Sequence, residues 1–313
     1  MGLFGNYESS GVGIAKNAPK KKPFFRFWEL TGRKFWKLIE VNMLLMTLCI
    51  PVIGAAAALY FLINVNTGLA LAVFALLLLT AAVLLGPYLA GCAKILRNFT
   101  LEKPLFLFDT FKKTFVSCFR QSCIMGLLDI LIAGSVAASF YVYPLMIAAA
   151  KENGASPTMY YVLFVASLSV ALAVLLMSFY AYLMIVSTDL SMKNILKNSL
   201  ALSCVALKTN LLTLVISGAI LGVFILLTVL FPAVMGFIWP FMPLSFIGFV
   251  IVFNCYPVIQ KYVINPYYAQ RGEVNPEMLH GQSQGENVFE DQGGKEKPVE
   301  AKKQKKGKGK VIS

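Results

Sequence analysis

A chain of 313 residues that is 58% hydrophobic and only 14% charged holds far more apolar side chain than one soluble core of that length uses, since soluble domains carry roughly 25% charged residues. That composition excludes an ordinary soluble globular fold and predicts an all-α, polytopic membrane bundle. The net charge of +13 would suit a nucleic-acid partner, but between residues 41 and 265 the Lys and Arg sit in short connections and at segment ends. That placement sets membrane topology, so nucleic acid is not the expected partner.

Residues 1–23 are polar and basic, and the first apolar run begins only at Val41, so no secretory signal is expected. MGLFGN lacks the Ser or Thr that myristoylation requires where Asn6 stands. A membrane domain follows over 24–271. RFWELTGRKFWKLIEVN leads into it as an amphipathic stretch, with Trp28 and Trp36 suited to the interface. A bilayer crossing needs about 20 apolar residues, and six runs qualify: 41–63, 69–89, 122–149, 159–187, 211–238 and 244–264.

Two connections are themselves predicted helices. In FLFDTFKKTFVSCFR, Phe108, Phe111, Phe115 and Phe119 recur at helical spacing, with Lys112, Lys113 and Arg120 elsewhere around the same helix. That pattern suits a helix in the interface, its aromatics among acyl chains and its cations near anionic headgroups. DLSMKNILKNSLALSCVALKTN reads similarly before span five, with Asp189 a candidate N-cap. Each odd-numbered span therefore follows a basic amphipathic stretch, the outline of three helix-plus-hairpin units whose residue identities match poorly. From Gly272 the composition turns to Gly, Gln, Glu and Lys, ending KKQKKGKGK; a tail over 272–313 with so little apolar area is expected to be disordered.

Orientation follows from the cations. With both termini cytoplasmic, all of the 28 Lys and Arg but Lys151 lie inside, as the positive-inside rule requires. The expected partner surface is a bilayer with an anionic inner leaflet.

No phosphate-binding loop, H-E-x-x-H or G-x-S-x-G motif occurs. The six cysteines form no C-x-x-C pair, and the lone His280 lies in the tail, so neither a metal nor a cofactor is expected, nor is an enzyme. What remains are polar side chains in apolar runs: Asp129, roughly 10 Å into span three on a face with Ser122, Gly126 and Ala133, and Asn42, Asn210 and Asn254 in the inner halves of spans one, five and six. An intramembrane charge calls for a reason. Either the four meet in an inner-leaflet polar cavity, or Asp129 is capped by neighbours and locks helices together. Pro51, Pro87, Pro144, Pro232 and Pro257 interrupt or end the apolar runs, as kinks or as helix breaks of the transporter kind.

The order of FWKLIEVN at 35–42, CIPVIGAAAALY at 49–60, GPYLAG at 86–91 and FDTFKKTF at 108–115, leading into Gln121, resembles the YesL-like family of bacterial membrane proteins, a domain of unknown function, across about residues 24–265. The resemblance implies a bacterial inner-membrane protein and a non-enzymatic accessory role in carbohydrate uptake, with sugar-transporter subunits as partners; it supplies no catalytic residue. Two other functions fit the residues: a small-solute transporter centred on Asp129, and a sensor or scaffold acting through the lysine-rich tail.

Overall fold

A computed structural model describes residues 22–277. The expected N-terminal segment 1–23, but for Lys22 and Pro23, and the expected tail beyond Glu277 lie outside the described residues. Residues 272–275 belong to the bundle: the compact unit runs to Asn275, whose Nδ2 donates to Asn265 Oδ1 at 2.9 Å.

The described chain is helical throughout: α1 Pro23–Arg33, α2 Phe35–Met46, α3 Cys49–Leu62, α4 Thr67–Thr100, α5 Leu107–Ser117, α6 Phe119–Glu152, α7 Thr158–Ser187, α8 Met192–Val205, α9 Leu207–Leu230, α10 Pro232–Ile238, α11 Pro243–Ile259, a π-turn Gln260–Ile264, and α12 Asn265–Gln270. Six helical stretches are long and apolar enough to cross a membrane, with mean hydropathy from 1.6 to 2.8. Their outer faces carry exposed Leu71, Leu131, Val165, Val215 and Leu226, an apolar surface that water would not tolerate at this extent. The chain is a multi-pass membrane protein.

Prolines set where several helices end. Pro51 has no N–H for the Thr47 carbonyl, which accepts from Ile50 N at 3.2 Å instead, and the first span breaks into α2 and α3. The run expected to cross as 211–238 stops at Leu230. Pro232 pushes Phe231 out of helical geometry (φ −135°, ψ 63°), and α10 turns back so that Trp239 Nε1 donates to Thr228 Oγ1 at 2.8 Å. Span two was expected to end at 89, but α4 continues to Thr100 through Lys94 and Arg97. That extension ends on Glu102 in the left-handed region (φ 56°), with Glu102 N bonded to Phe99 O and Lys103 N to Asn98 O. Glycine usually fills this cap position; here the carboxylate pairs with Arg33 and fastens α1 to α4.

The three-unit outline has a physical counterpart. The breaks between α1 and α2, α5 and α6, and α8 and α9 are single residues, Lys34, Cys118 and Ala206, with nearly the same backbone: φ −109°, −101° and −99°, ψ 12°, 5° and 32°. In all three the N–H closes the amphipathic helix (to Leu30, Thr114 and Leu202 O), and the C=O accepts from the first turn of the span (Leu38, Ser122 and Asn210 N), at 2.9–3.0 Å. The buried register repeats too: Leu30, Thr114 and Leu202 four residues before, Leu38, Ser122 and Asn210 four after, Val41, Met125 and Thr213 seven after.

Docking follows a ring. The spans α4, α7 and α11 touch one another. α5 packs on α4 and α8 on α7, while α1 closes the ring by setting Phe27 against Phe246, Phe249 and Phe253 of α11. α6 packs on α4 and α7, and α2 on α4 and α11. α9 packs on α11 and reaches α7 through Tyr180 and Asn210.

The α4–α6 contact is backbone on backbone. A Cβ on Gly86 would sit 1.8 Å from the Ser122 carbonyl oxygen, and one on Gly126 would sit 2.7 Å from Gly86 Cα, the small-residue approach that membrane helices use. Gly86→Ala and Gly126→Ala are each expected to destabilise by about 1–3 kcal/mol. Gly134→Ala, where the new methyl meets nothing within 4 Å, should stabilise by about 0.5–1 kcal/mol. Denaturant titration in detergent reads both signs.

Candidate functional site

α6 turns one face into the bundle because Ser122, Met125 and Gly126 bury it there. Asp129 continues that face about 15 Å along the helix from its start at Phe119. Two hydroxyls from α7 meet its carboxyl. Ser178 Oγ donates to Oδ1 at 2.7 Å, and Tyr182 Oη donates to Oδ2 at 2.6 Å. The two donors are four residues apart, on one face of α7. Ser178 has one hydrogen but two acceptors in reach, Asp129 Oδ1 and the Val174 carbonyl at 2.9 Å. With its hydrogen on Val174, Ser178 Oγ can accept a proton carried by Asp129; with its hydrogen on Asp129, it supports the ionised carboxylate. The site is built for either protonation state.

This cluster stands in the wall of an open cavity of about 760 Å³ bordered by α4, α6, α7 and α11, with Leu45 of α2 at its edge. The rest of the wall is apolar, from Leu89, Leu96, Val136, Leu175, Ile247 and Ile251 among others. Asp129, Ser178 and Tyr182 are its polar side chains besides the thiol of Cys92. Such a chamber is of ligand size, an apolar container with few polar groups that fix orientation.

The other polar residues expected to share a cavity with Asp129 lie elsewhere. Asn42, fully buried, accepts from Leu244 N and Ser245 N at 3.0 Å each and donates to Trp239 O at 2.7 Å; it caps the uncapped start of α11. Asn210 accepts from the Tyr180 hydroxyl and donates to the Ser203 and Leu202 carbonyls at 2.9 and 3.3 Å, satisfying the end of α8. Asn254 is half-buried on α11 and lines none of the Asp129 chamber. The four do not converge, because each asparagine amide that is buried has a backbone terminus of its own to satisfy.

The aromatic stripe of α5 is split. Phe111 and Phe115 face inward onto Tyr88, and a Cβ on Gly91 would sit 2.6 Å from the Phe111 ring; the missing side chain is what admits the ring. Phe108 is exposed and Phe119 borders on it. Phe111 and Phe115 of the four expected interfacial aromatics thus pack within the bundle, and the expected single helix breaks at Cys118, so that Phe119 and Arg120 lie on α6. Lys112, Lys113 and Arg120 remain on the exposed side. Lys113 pairs with Asp109 at 2.7 Å.

Ser178 and Tyr182 escaped the sequence reading, although hydroxyls four apart in an apolar helix were the available signal. Arg97 also escaped. Assigned to a connection, it is buried and stacks on the Tyr256 ring at 4.8 Å, tying α4 to α11. Compared with protein-family models, curated proteins and solved structures, the chain finds no match. The site therefore stands on its own geometry.

Asn42→Ala removes a cap and leaves buried backbone N–H groups without partners. A loss of about 1–2 kcal/mol is expected in denaturant titrations.

Proposed function

We propose that this membrane protein binds a lipophilic molecule bearing a cationic or strongly hydrogen-bond-donating group in the chamber between α4, α6, α7 and α11, with Asp129 as the recognition group. The observation that supports this is one carboxyl, oriented by Ser178 and Tyr182, in an otherwise apolar wall. A carboxylate in hydrocarbon is costly unless a counter-charge meets it. Two neutral hydroxyls offset part of that cost, and a proton or a cationic ligand offsets the rest. The same wall is a poor match for a free sugar, whose ring of hydroxyls needs many more partners than three side chains offer.

Occupancy by a cation and by a proton are then alternatives. Ligand binding releases a proton wherever Asp129 was protonated, so affinity rises with pH through the titration range of the site and levels off above it. The protein in lipid nanodiscs, titrated with tetraphenylphosphonium as a lipophilic-cation probe, should bind it saturably. Asp129→Asn should weaken that binding at least tenfold and remove its pH dependence. Ala133→Phe, which fills the chamber, should weaken it at every pH. Equal binding by wild type and both variants would overturn the reading. Uptake of the same probe into liposomes by the purified protein distinguishes a transporter from a receptor.

A role as accessory to carbohydrate uptake belongs to the surface and not to the chamber. What favours it is the outer face of α8, where Leu200 and Val205 are half or more exposed beside Lys193 and Lys197, a mixed face suited to a partner protein. In this reading the chain lies in a bacterial inner membrane, with the end that carries α1, α5 and α8 in the cytoplasm. Sugar-transporter subunits should then co-purify from native membranes, and Leu200→Glu should release them without affecting probe binding in the chamber.

A further inference from the structure

A second concavity lies at the basic end, apart from the Asp129 chamber. It is an open cleft of about 1310 Å³ between α5, the first turn of α6 and the connection from α7 to α8. Lys94, Lys112, Lys113 and Arg120 line it together with Asp109 and Asp189. Lys113 is engaged with Asp109 on its own helix, and Lys94 Nζ donates to the Val186 carbonyl at 2.9 Å, which fixes the floor. Gln121 Nε2 holds the far wall through the Leu190 carbonyl at 3.1 Å. Lys112 and Arg120 have no ion-pair partner among the described residues, so two cations on adjacent helices face an open space with their donors unspent.

What lies below the cleft decides the kind of anion. Arg120 is followed on one face of α6 by Ile124, Leu127 and Leu131, at successive offsets of four, three and four residues, and all three are exposed, at 45%, 42% and 72%. A helical face of that spacing is one continuous stripe. It runs from the cation into the apolar body of the span for about 16 Å, the length of much of an acyl chain. Val116 of α5, 69% exposed, extends the apolar border on the other side of the cleft. A phosphate that entered from water would meet the cations but have no use for the stripe. A phospholipid meets both, its phosphodiester between Lys112 and Arg120 and its chain along α6.

We propose that this cleft is a specific site for one anionic phospholipid, the guanidinium of Arg120 and the ammonium of Lys112 gripping the phosphodiester through charge-assisted hydrogen bonds. It rests on the cleft alone and is independent of what the Asp129 chamber binds.

Native mass spectrometry of the detergent-solubilised protein, after equilibration with equimolar phosphatidylglycerol and phosphatidylcholine, reads the site directly. Wild type should retain one phosphatidylglycerol at least tenfold in preference to phosphatidylcholine. The double variant Lys112→Gln/Arg120→Gln should lose that preference. Lys193→Gln/Lys197→Gln on α8 removes the same charge elsewhere and should keep it. Leu127→Gln/Leu131→Gln leaves every cation in place and should weaken retention of the long-chain lipid several-fold, so that the proposal stays testable if the first variant fails to fold. Retention unchanged by the cleft variant, or lost equally in the α8 variant, overturns the site. Saturable binding of inorganic phosphate by the lipid-free protein, without preferential lipid retention, overturns the lipid assignment in favour of a free-phosphate site.

Discussion

A backbone that leaves an amphipathic helix and enters hydrocarbon must change direction without leaving an N–H or C=O unbonded, because no water is there to take it. In this protein one residue does that at each of three places. Lys34, Cys118 and Ala206 each close one helix with the N–H and open the next with the C=O, so both backbone groups of the turning residue are bonded. Because a single residue turns the chain, the register of the amphipathic helix dictates the register of the span. The buried positions four before, four after and seven after the break follow from that coupling, and with them the face each span presents to the ring of α4, α7 and α11.

That coupling explains how the polar groups in the spans are used. Asn210, Asn42 and Asp129 stand four, eight and eleven residues past their respective junctions, all on the junction-defined inner face. Each is the principal polar link of its odd-numbered span to an even-numbered one. The two asparagines spend donor and acceptor alike on backbone ends: Asn210 on the α8 terminus, Asn42 on the start of α11. Asp129 has no backbone end to serve. Its partners are side-chain hydroxyls, and beyond it the wall falls away into the chamber.

The six crossings were legible because hydropathy over twenty residues is a strong signal; their ends were not, because hydropathy stops at the first charge and the helix does not. α4 runs on through Lys94 and Arg97, since one bonds a carbonyl of α7 and the other stacks on a tyrosine of α11, contacts that no local pattern announces. The opposite error at 211–238 came from counting apolar residues across Pro232, whose missing N–H was readable in the chain. Asp129 and the asparagines were visible as polar residues in apolar runs, yet their partners were not. Trp239 and Ser245 are remote from Asn42 in sequence, and Ser178 looks like any small residue on a membrane helix.

Near-threefold repetition with unequal polar fillings narrows where selectivity can reside. Were the three wedges chemically alike, none would offer a ligand a polarity that the others lack. Here the wedge between α9 and α7 is closed by an amide and a phenol bonded to each other, and the one between α2 and α11 by an amide saturated with backbone. Only the wedge between α6 and α7 brings a carboxyl to the chamber wall, with oxygens that accept one hydroxyl each and retain lone pairs for a further donor. Asp129 makes the cavity wall one-sided, and in the proposed mode of binding an occupant points its donor at α6.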